Sequence, residues 1–292
     1  MRVFALLLLA ACLLPAQQDR YQRLMRDLLI FDALIDTPRY FLDEGYRLAA
    51  EHSYYELDLP RMKKGHLGAV FFGIYAQPQD YPPQSWLPRA LEVLDALRRE
   101  VAANQDQIEF ATTAADVERI HASGRRAALA SLEGGHLIAG SLGVLRMFHQ
   151  LGVRYMTLAH FATNGFADSM TGDPVHNGLS PRGRALVREM NRLGMLVDVS
   201  HISDKAVLDA VAESRAPVIA SHSSVKAIAP IVRNMPDEVI RAIASKGGVV
   251  CINFHAGYLD EAAYKVYYAN RPARDREIKE VLSRHENDPA RW

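Results

Sequence analysis

Between Met195 and Ser224 the chain holds two apolar runs that each end in a Ser-His dipeptide, and this arrangement restricts the fold more than any other feature. The runs are Met195–Val199 and Pro217–Ala220, ending in Ser200-His201 and Ser221-His222. Short runs rich in Val and Ile, bounded by Gly194 and Pro217, fit buried strands. Between them, Ala206, Val207, Ala210 and Val211 recur at helical spacing over Asp204–Ser214. The unit is therefore strand–helix–strand, with a histidine just past the C-terminal end of each strand. In a parallel sheet or barrel those ends lie side by side, where ligands bind. Histidines distant in sequence then meet in space, as a metal site assembled from neighbouring βα units requires. The adjacent serines suggest a Ser-His hydrolase instead. Neighbouring strand residues point to opposite faces, so neither dipeptide is expected to form a nucleophile–base pair by itself. A G-x-S-x-G elbow is also absent.

The same alternation runs through the chain. Strands are expected at Leu28–Phe31, Ala69–Tyr75, Ala127–Leu132, Arg154–Leu158 and Val249–Phe254. Helices are expected at Asp19–Asp27, Trp86–Ala103, Thr113–His121 (capped by Thr113), Leu142–Leu151, Pro181–Leu193 and Pro236–Ser245. Phe161–Ser180 is a long polar loop of the kind that is usually functional, and Asn164, Asp168 and His176 are expected to border a substrate. Seven strands separated by helices mean α/β with a parallel sheet, and a (β/α)8 TIM-type barrel of about 250 residues is the natural candidate. The alternative is a doubly wound open sheet, but no Gly-rich phosphate fingerprint follows the first strand. A barrel needs an eighth strand. After Phe254 there is only the charged, helical Leu259–His285 and then Asn287–Trp292. The expectation is a barrel lacking its eighth strand, with strands 1 and 7 left as unpaired edges. Such a chain is a fragment of a longer protein or depends on a partner, a homodimer being one arrangement that covers the edges.

Composition narrows the function classes. The 292 residues carry a formal net charge of zero, and no basic run with interleaved aromatics points to nucleic acid. Residues 1–16 (MRVFALLLLAACLLPA) have one Arg before a short apolar run, the pattern of a secretory signal too short to span a membrane. Leu9-Ala10-Ala11-Cys12 also fits a bacterial lipobox, with a lipid anchor at Cys12. An exported protein follows on either reading, whether periplasmic, secreted or lipid-anchored, with the barrel over residues 19–292. Cys251 is then the only unmodified cysteine, so stability must come from a core.

In a barrel the residues at the strand C-termini form the site. They are Asp36, Glu133, His160, His201 and His222, from five different strands. Oxygen and imidazole donors suit Zn²⁺ or a similar ion, and Glu133 has two oxygens with which to bridge two metals about 3.5–4 Å apart. Such a centre generates a water-derived nucleophile near neutral pH. His136 is expected to hydrogen-bond within the barrel, and His52, His66, His121, His149, His176 and His285 to be surface or loop residues.

From Leu28 to Phe254 the chain resembles the membrane dipeptidase (renal dipeptidase) family of zinc metallopeptidases. The segments that carry the resemblance are Leu132-Glu133-Gly134-Gly135-His136, Gly152 to His160, Glu189-Met190-Asn191, Leu196 to His201, Ser221-His222-Ser223, Arg233-Asn234 and Asp237-Glu238. The resemblance implies a (β/α)8 barrel with a binuclear zinc site that cleaves dipeptides. It implies metal ligation by Asp36, Glu133, His201 and His222, with Glu133 bridging. It further implies that His160 contacts the substrate and stabilises the oxyanion, and that Arg233 holds the substrate's terminal carboxylate, a role that suits its planar fork.

The chain departs from the family pattern in three places. A His-x-Asp pair opens the family's site, and here it reads Leu34-Ile35-Asp36. Leucine cannot bind zinc, which leaves Glu133, His201 and His222 as a His₂Glu set for one metal. The family's last strand, with its catalytic-site aspartate, has no counterpart, and Asp288 is not in that context. An aromatic residue of the family is His255 here. The expected function is a zinc-dependent dipeptidase acting through a metal-activated water. The alternatives are a degenerate or truncated homologue with little or no turnover, and a different metal hydrolase on the same barrel, such as an amidase or lactonase.

Overall fold

The computed structural model describes residues 20, 23–25, 28–53, 55, 57–270 and 276. The expected signal sequence, Cys12 and Asp288 lie outside the described residues, as do parts of the stretches expected to be helical at 19–27 and 259–285. No helix among the described residues is long and apolar enough to cross a membrane.

The strands are β1 (Ile30–Ile35), β2 (Leu67–Ile74), β3 (Ile108–Phe110), β4 (Arg126–Glu133), β5 (Val153–Thr157), β6 (Leu196–Asp198), β7 (Ile219–Ser223) and β8 (Val249–Ile252). All pair in parallel, in the order β1-β2-β4-β5-β6-β7-β8. The connections carry α1 (Pro38–Asp43), α2 (Leu59–Lys64), α3 (Trp86–Ala102), α4 (Ala114–Ala122), α5 (Leu142–Gln150), α6 (Pro181–Leu193), α7 (Asp204–Glu213) and α8 (Asp237–Ser245), and α9 (Ala256–Leu259) follows β8. The result is a nearly closed parallel barrel. Its seven wall strands are the seven expected from sequence. β3 was not expected: three residues are too few to show a period, and it pairs only with the start of β4, off the barrel path.

The strand period of two sorts the core into two layers. Val70, Phe72 and Ile74 of β2 and Ala128, Ala130 and Leu132 of β4 point outward, into the layer covered by helices. Ala69, Phe71, Ala127, Leu129 and Tyr155 point inward and fill the lumen, with Leu34 and Ile219 against them. Local chemistry fixes the helix starts. Thr113 and Asp116 form a reciprocal capping box on α4, as expected for Thr113. Ser180 caps α6, which has Pro181 in its first turn and ends at the left-handed Gly194.

The first strand differs from expectation. The run Leu28–Phe31 was expected to be buried, yet Leu28, Leu29 and Phe31 are 45%, 39% and 41% exposed, and the strand itself begins at Ile30. The reason is its place at one end of the sheet: among the described residues β1 has no hydrogen-bonded neighbour on its far side, and β8 ends the sheet at the other. Val249 and Ile252 of β8 are likewise exposed. Among the described residues an unpaired seam lies between these edges.

One side chain bridges the lumen. Tyr155 of β5 is buried, packs on Phe71 at 4.6 Å between ring centroids and donates from its hydroxyl to the Ala33 carbonyl of β1 at 2.8 Å. Tyr155→Phe keeps the ring and removes this tie. It is expected to lower stability by about 1 kcal/mol, read as a lower urea midpoint at unchanged m-value. An unchanged midpoint would mean that the hydroxyl contributes nothing to holding β1.

Candidate metal centre

Register sets the height of the site. Glu133 at the end of β4 pairs with Thr157 of β5, and Thr157 pairs with Asp198 of β6, so the three lie in one row across the sheet. His160 follows β5, and His201 follows β6 with a left-handed φ of 68°. An L-residue there costs about 1–2 kcal/mol, strain of the kind that collects at functional sites. His222 lies inside β7 rather than just past it, where the pairing of β7 with β8 is irregular between Ala220 and Ser223. The loop over residues 161–180 braces these backbones. Ser169 Oγ donates to the His160 carbonyl at 2.6 Å, and Met170 N donates to the His201 carbonyl at 2.8 Å.

These elements bring one carboxylate oxygen against three imidazoles. Glu133 Oε1 lies 3.0 Å from His201 Nε2, 3.1 Å from His222 Nε2 and 3.4 Å from His160 Nε2. The two Nε2 atoms of His201 and His222 are 2.8 Å apart. Donor atoms of Glu133, His201 and His222 all fall within 4.8 Å of one another, and all three residues are buried. His222 Nδ1 is 2.7 Å from Ser221 Oγ, and that hydroxyl donates its own proton to Asp198 Oδ2 at 2.8 Å. With the Ser221 proton given to Asp198, His222 would carry its own proton on Nδ1 and turn a bare Nε2 to the carboxylate oxygen. Two lone pairs at this distance repel unless a cation lies between them. The donor set thus fits a metal ion.

Electrostatics agree. Burial holds His160 down to about 4 and His222 down to about 3, with the Arg233 charge adding to the effect on His222. Burial and then Arg233 hold His201 well below the ordinary value. All three rings are therefore neutral near neutral pH, the form that offers lone pairs. Burial, then the Glu133 charge, pushes Asp36 up to about 7. The signs differ. Below 6.5 the unfolded chain binds protons that the folded imidazoles refuse, so stability falls as pH drops from 6.5 toward 4. The Asp36 contribution is fully present below 3.8 and lost as pH rises through about 7. Asp36 meets the water of the cavity, which weakens its share. With three imidazoles against one carboxyl, the urea midpoint of the metal-free protein is expected to fall between pH 6.5 and pH 4. A flat profile would contradict the neutral, buried rings.

The other expected site residues surround this cluster. A cavity of about 950 Å³ is lined by Glu133, His160, His201, His222, Arg233, all of β1 with Asp36 beyond it, and Cys251 to His255. Asp36 shares the cavity but stands outside the three-residue cluster. Leu34 occupies the inward position two residues before it, with its Cδ1 and Asp36 Oδ1 flanking Gly73. Arg233 is buried, donates to the His222 carbonyl at 3.0 Å and to Ser223 Oγ at 3.5 Å, and lies over the Tyr258 ring. Its Nε makes no hydrogen bond. His136 bonds to the Ala76 carbonyl, as expected.

Two expectations need correction, and one residue was missed. Asn164, Asp168 and His176 do not line the cavity; from their loop only Phe161 does. The Asp168 carboxylate is taken up by the backbone amides of Val175, His176 and Gly178, the Asn164 carbonyl by those of Phe166 and Ala167, and His176 Nε2 bonds to the Asn164 backbone carbonyl. These side chains shape the loop and are not free to meet a substrate. Ser221 and His222 also do touch, at a point where the pairing of β7 with β8 is irregular. Asp198 was missed altogether. It is fully buried and accepts hydrogen bonds from Thr157 Oγ1, Ser221 Oγ and the amides of Ser200 and Ser221. A carboxylate inside an apolar run is itself a signal, since burying one is costly unless it is satisfied.

The chain is similar to known proteins in sequence and in fold. The chain is 45% identical over 206 residues to the dipeptidase tcpJ of Claviceps purpurea, covering 68% of this chain and 48% of that protein. Its fold is similar to the crystal structure of the probable dipeptidase PvdM from Pseudomonas aeruginosa, with TM-score 0.75 and 28% identity over 80% of this chain and 62% of the other. It is also similar to a metallopeptidase from Rhodobacter sphaeroides bound to a phosphinate mimic of the dipeptide L-Ala-D-Ala, with TM-score 0.73 and 29% identity over 81% and 76% of the two chains. The chain spans about half the length of the curated relatives it matches. The membrane dipeptidase family (peptidase family M19) matches residues 18–284, and the chain belongs to that family.

Proposed function

We propose that this chain is a zinc-dependent dipeptidase that hydrolyses the peptide bond of dipeptides with a metal-activated water. The observation that carries this reading is the convergence of Glu133, His201 and His222 in the cavity that also holds Arg233. Two imidazoles and a carboxylate are a donor set that zinc takes while keeping an open position. When bound, the metal supplies Lewis acidity, polarising the scissile carbonyl and lowering the pKa of water. The chain's own residues do the rest. The Arg233 guanidinium binds the terminal carboxylate and so fixes the length of the substrate. His160 stays neutral and, with its proton on Nε2, donates to the developing oxyanion. Asp36 is the remaining acidic group that this reading places on the centre.

The test is hydrolysis of L-Ala-L-Ala and L-Ala-D-Ala by the zinc-loaded chain. Arg233→Met should raise KM about 10- to 100-fold at unchanged zinc content, the loss expected for a charge-assisted contact. A zinc-loaded chain that leaves both dipeptides intact would sink the reading. That outcome would select the second reading, a dipeptidase-like protein with little turnover, which is favoured by Leu34 in place of a donor. Export, with or without a lipid on Cys12, belongs to the same proposal and rests on residues 1–16.

A further inference from the structure

The two Ser-His dipeptides look alike in sequence, yet their histidines are held differently. His201 Nδ1 is buried and has no hydrogen-bond partner. His222 Nδ1 lies 2.7 Å from Ser221 Oγ, and Ser221 Oγ lies 2.8 Å from Asp198 Oδ2. The same carboxylate accepts from Thr157 Oγ1 at 2.5 Å, from Ser221 N at 2.9 Å and from Ser200 N at 3.1 Å. Direct ladder pairing between β6 and β7 is confined to Asp198 and Ile219, so the Asp198 side chain supplies part of what the short ladder lacks.

We propose that Ser221 is a positioning residue, whose hydroxyl relays Asp198 to His222 and thereby holds the Nε2 lone pair of His222 on the metal. A hydroxyl has one proton, and Asp198 Oδ2 takes it. The lone pairs of Ser221 Oγ then accept the Nδ1 proton of His222, and Nε2 is left bare. The order is carboxylate, hydroxyl, imidazole. A nucleophilic serine needs the imidazole in the middle, able to take the hydroxyl proton. Here that proton is committed to Asp198, and the far nitrogen of the ring faces Glu133. Ser221 therefore acts through His222 and not on a substrate. The relay also sets the ring plane, because Ser221 is itself fixed at both its amide and its hydroxyl by one carboxylate.

The inference rests on Glu133, His201 and His222 being a metal site, and the two can fail separately. Zinc affinity is measured by competition with a chromophoric chelator for the wild type, Ser221→Ala and Ser221→Thr. The imidazole tautomers of the metal-free protein are read from ¹⁵N chemical shifts. The expected result is an Nδ1-protonated His222 in the wild type, a 10- to 100-fold loss of zinc affinity in Ser221→Ala, and recovery of most of that loss in Ser221→Thr, which keeps the hydroxyl. A serine with only a structural role would change the urea midpoint and leave tautomer and zinc constant alone, which would overturn the proposal. An Nε2-protonated His222 in the wild type overturns it without any variant. No zinc binding by the wild type would instead remove the metal site.

Discussion

Glu133→Gln is expected to empty the metal centre and leave the barrel folded. Glu133 Oε1 is the atom that three Nε2 atoms approach within 3.4 Å, and no other carboxylate among the described residues joins His201 and His222 in a cluster of donors. Glutamine has nearly the same shape, so β4 and its neighbours keep their packing. It replaces a charged oxygen by a neutral amide, which removes the attraction for a cation while its N–H groups can donate to the bare imidazole nitrogens. Losing a hydrogen-bond partner of a metal ligand typically costs 10- to 100-fold in affinity, and losing a ligand should exceed that, so a drop of at least about 100-fold is expected. Metal per chain after dialysis against a zinc buffer, measured beside a urea titration, gives both halves of the result. Stoichiometric zinc in the glutamine variant would remove Glu133 from the ligand set. Loss of the folded state would show that the carboxylate holds the barrel as well as the ion.

Leu34→His is expected to raise metal stoichiometry from one toward two. Leu34 and Asp36 share the inner face of β1 and flank Gly73, with Leu34 Cδ1 and Asp36 Oδ1 both close to where a Cβ on that glycine would stand. Both line the cavity that Glu133 lines, and the Glu133 charge contributes to the raised pKa of Asp36. An imidazole at position 34 would add the nitrogen donor that Asp36 and Glu133 lack. A gain of about 10- to 100-fold or more in affinity for a second ion follows from the usual worth of such groups. Leu34 is only half-buried against the lumen cluster, so lost packing should cost only about 1 kcal/mol. Isothermal titration with zinc reads the stoichiometry, and an unchanged value would show that Asp36 is misplaced for a second ion. If the second ion binds and dipeptide turnover does not improve, position 34 does not limit activity.

The centre was legible because barrel geometry turns a sequence pattern into a position. Glu133, His160, His201 and His222 each follow or end an apolar run, and parallel strands bring such residues to one mouth whatever their distance in sequence. The seven wall strands were legible for the same reason. β3 and α1 were not, since three and six residues hold too little of a period to stand out. The resemblance to a family, not periodicity, pointed to Arg233, because a loop arginine has no pattern of its own. Asp198 was hidden in a run that reads as an ordinary strand, although its charge marked it. At Ser221-His222 the two side chains touch although strand alternation would part them, and the pairing of β7 with β8 is irregular at that point. The loop over residues 161–180 ties the backbones of His160 and His201 through Ser169 and Met170, whereas the polar side chains that drew attention to it in the sequence are spent within the loop.

The open seam between β1 and β8 bears on how fast the centre equilibrates. The cavity that holds Glu133, His201 and His222 is lined along one side by every residue of β1 and across from it by Cys251 to His255, with Phe254 87% exposed. Among the described residues this flank is not closed by strand pairing, so small solutes are expected to reach the ligands through it as well as through the mouth of the barrel. In a closed barrel, loss of a bound ion waits on motion of the loops above it. An ion held by Glu133, His201 and His222 would be expected here to leave at a rate set by the breaking of its own bonds to them, and a small chelator would reach those bonds directly. Covering the seam would then lengthen the lifetime of the bound ion far more than it would change the equilibrium constant.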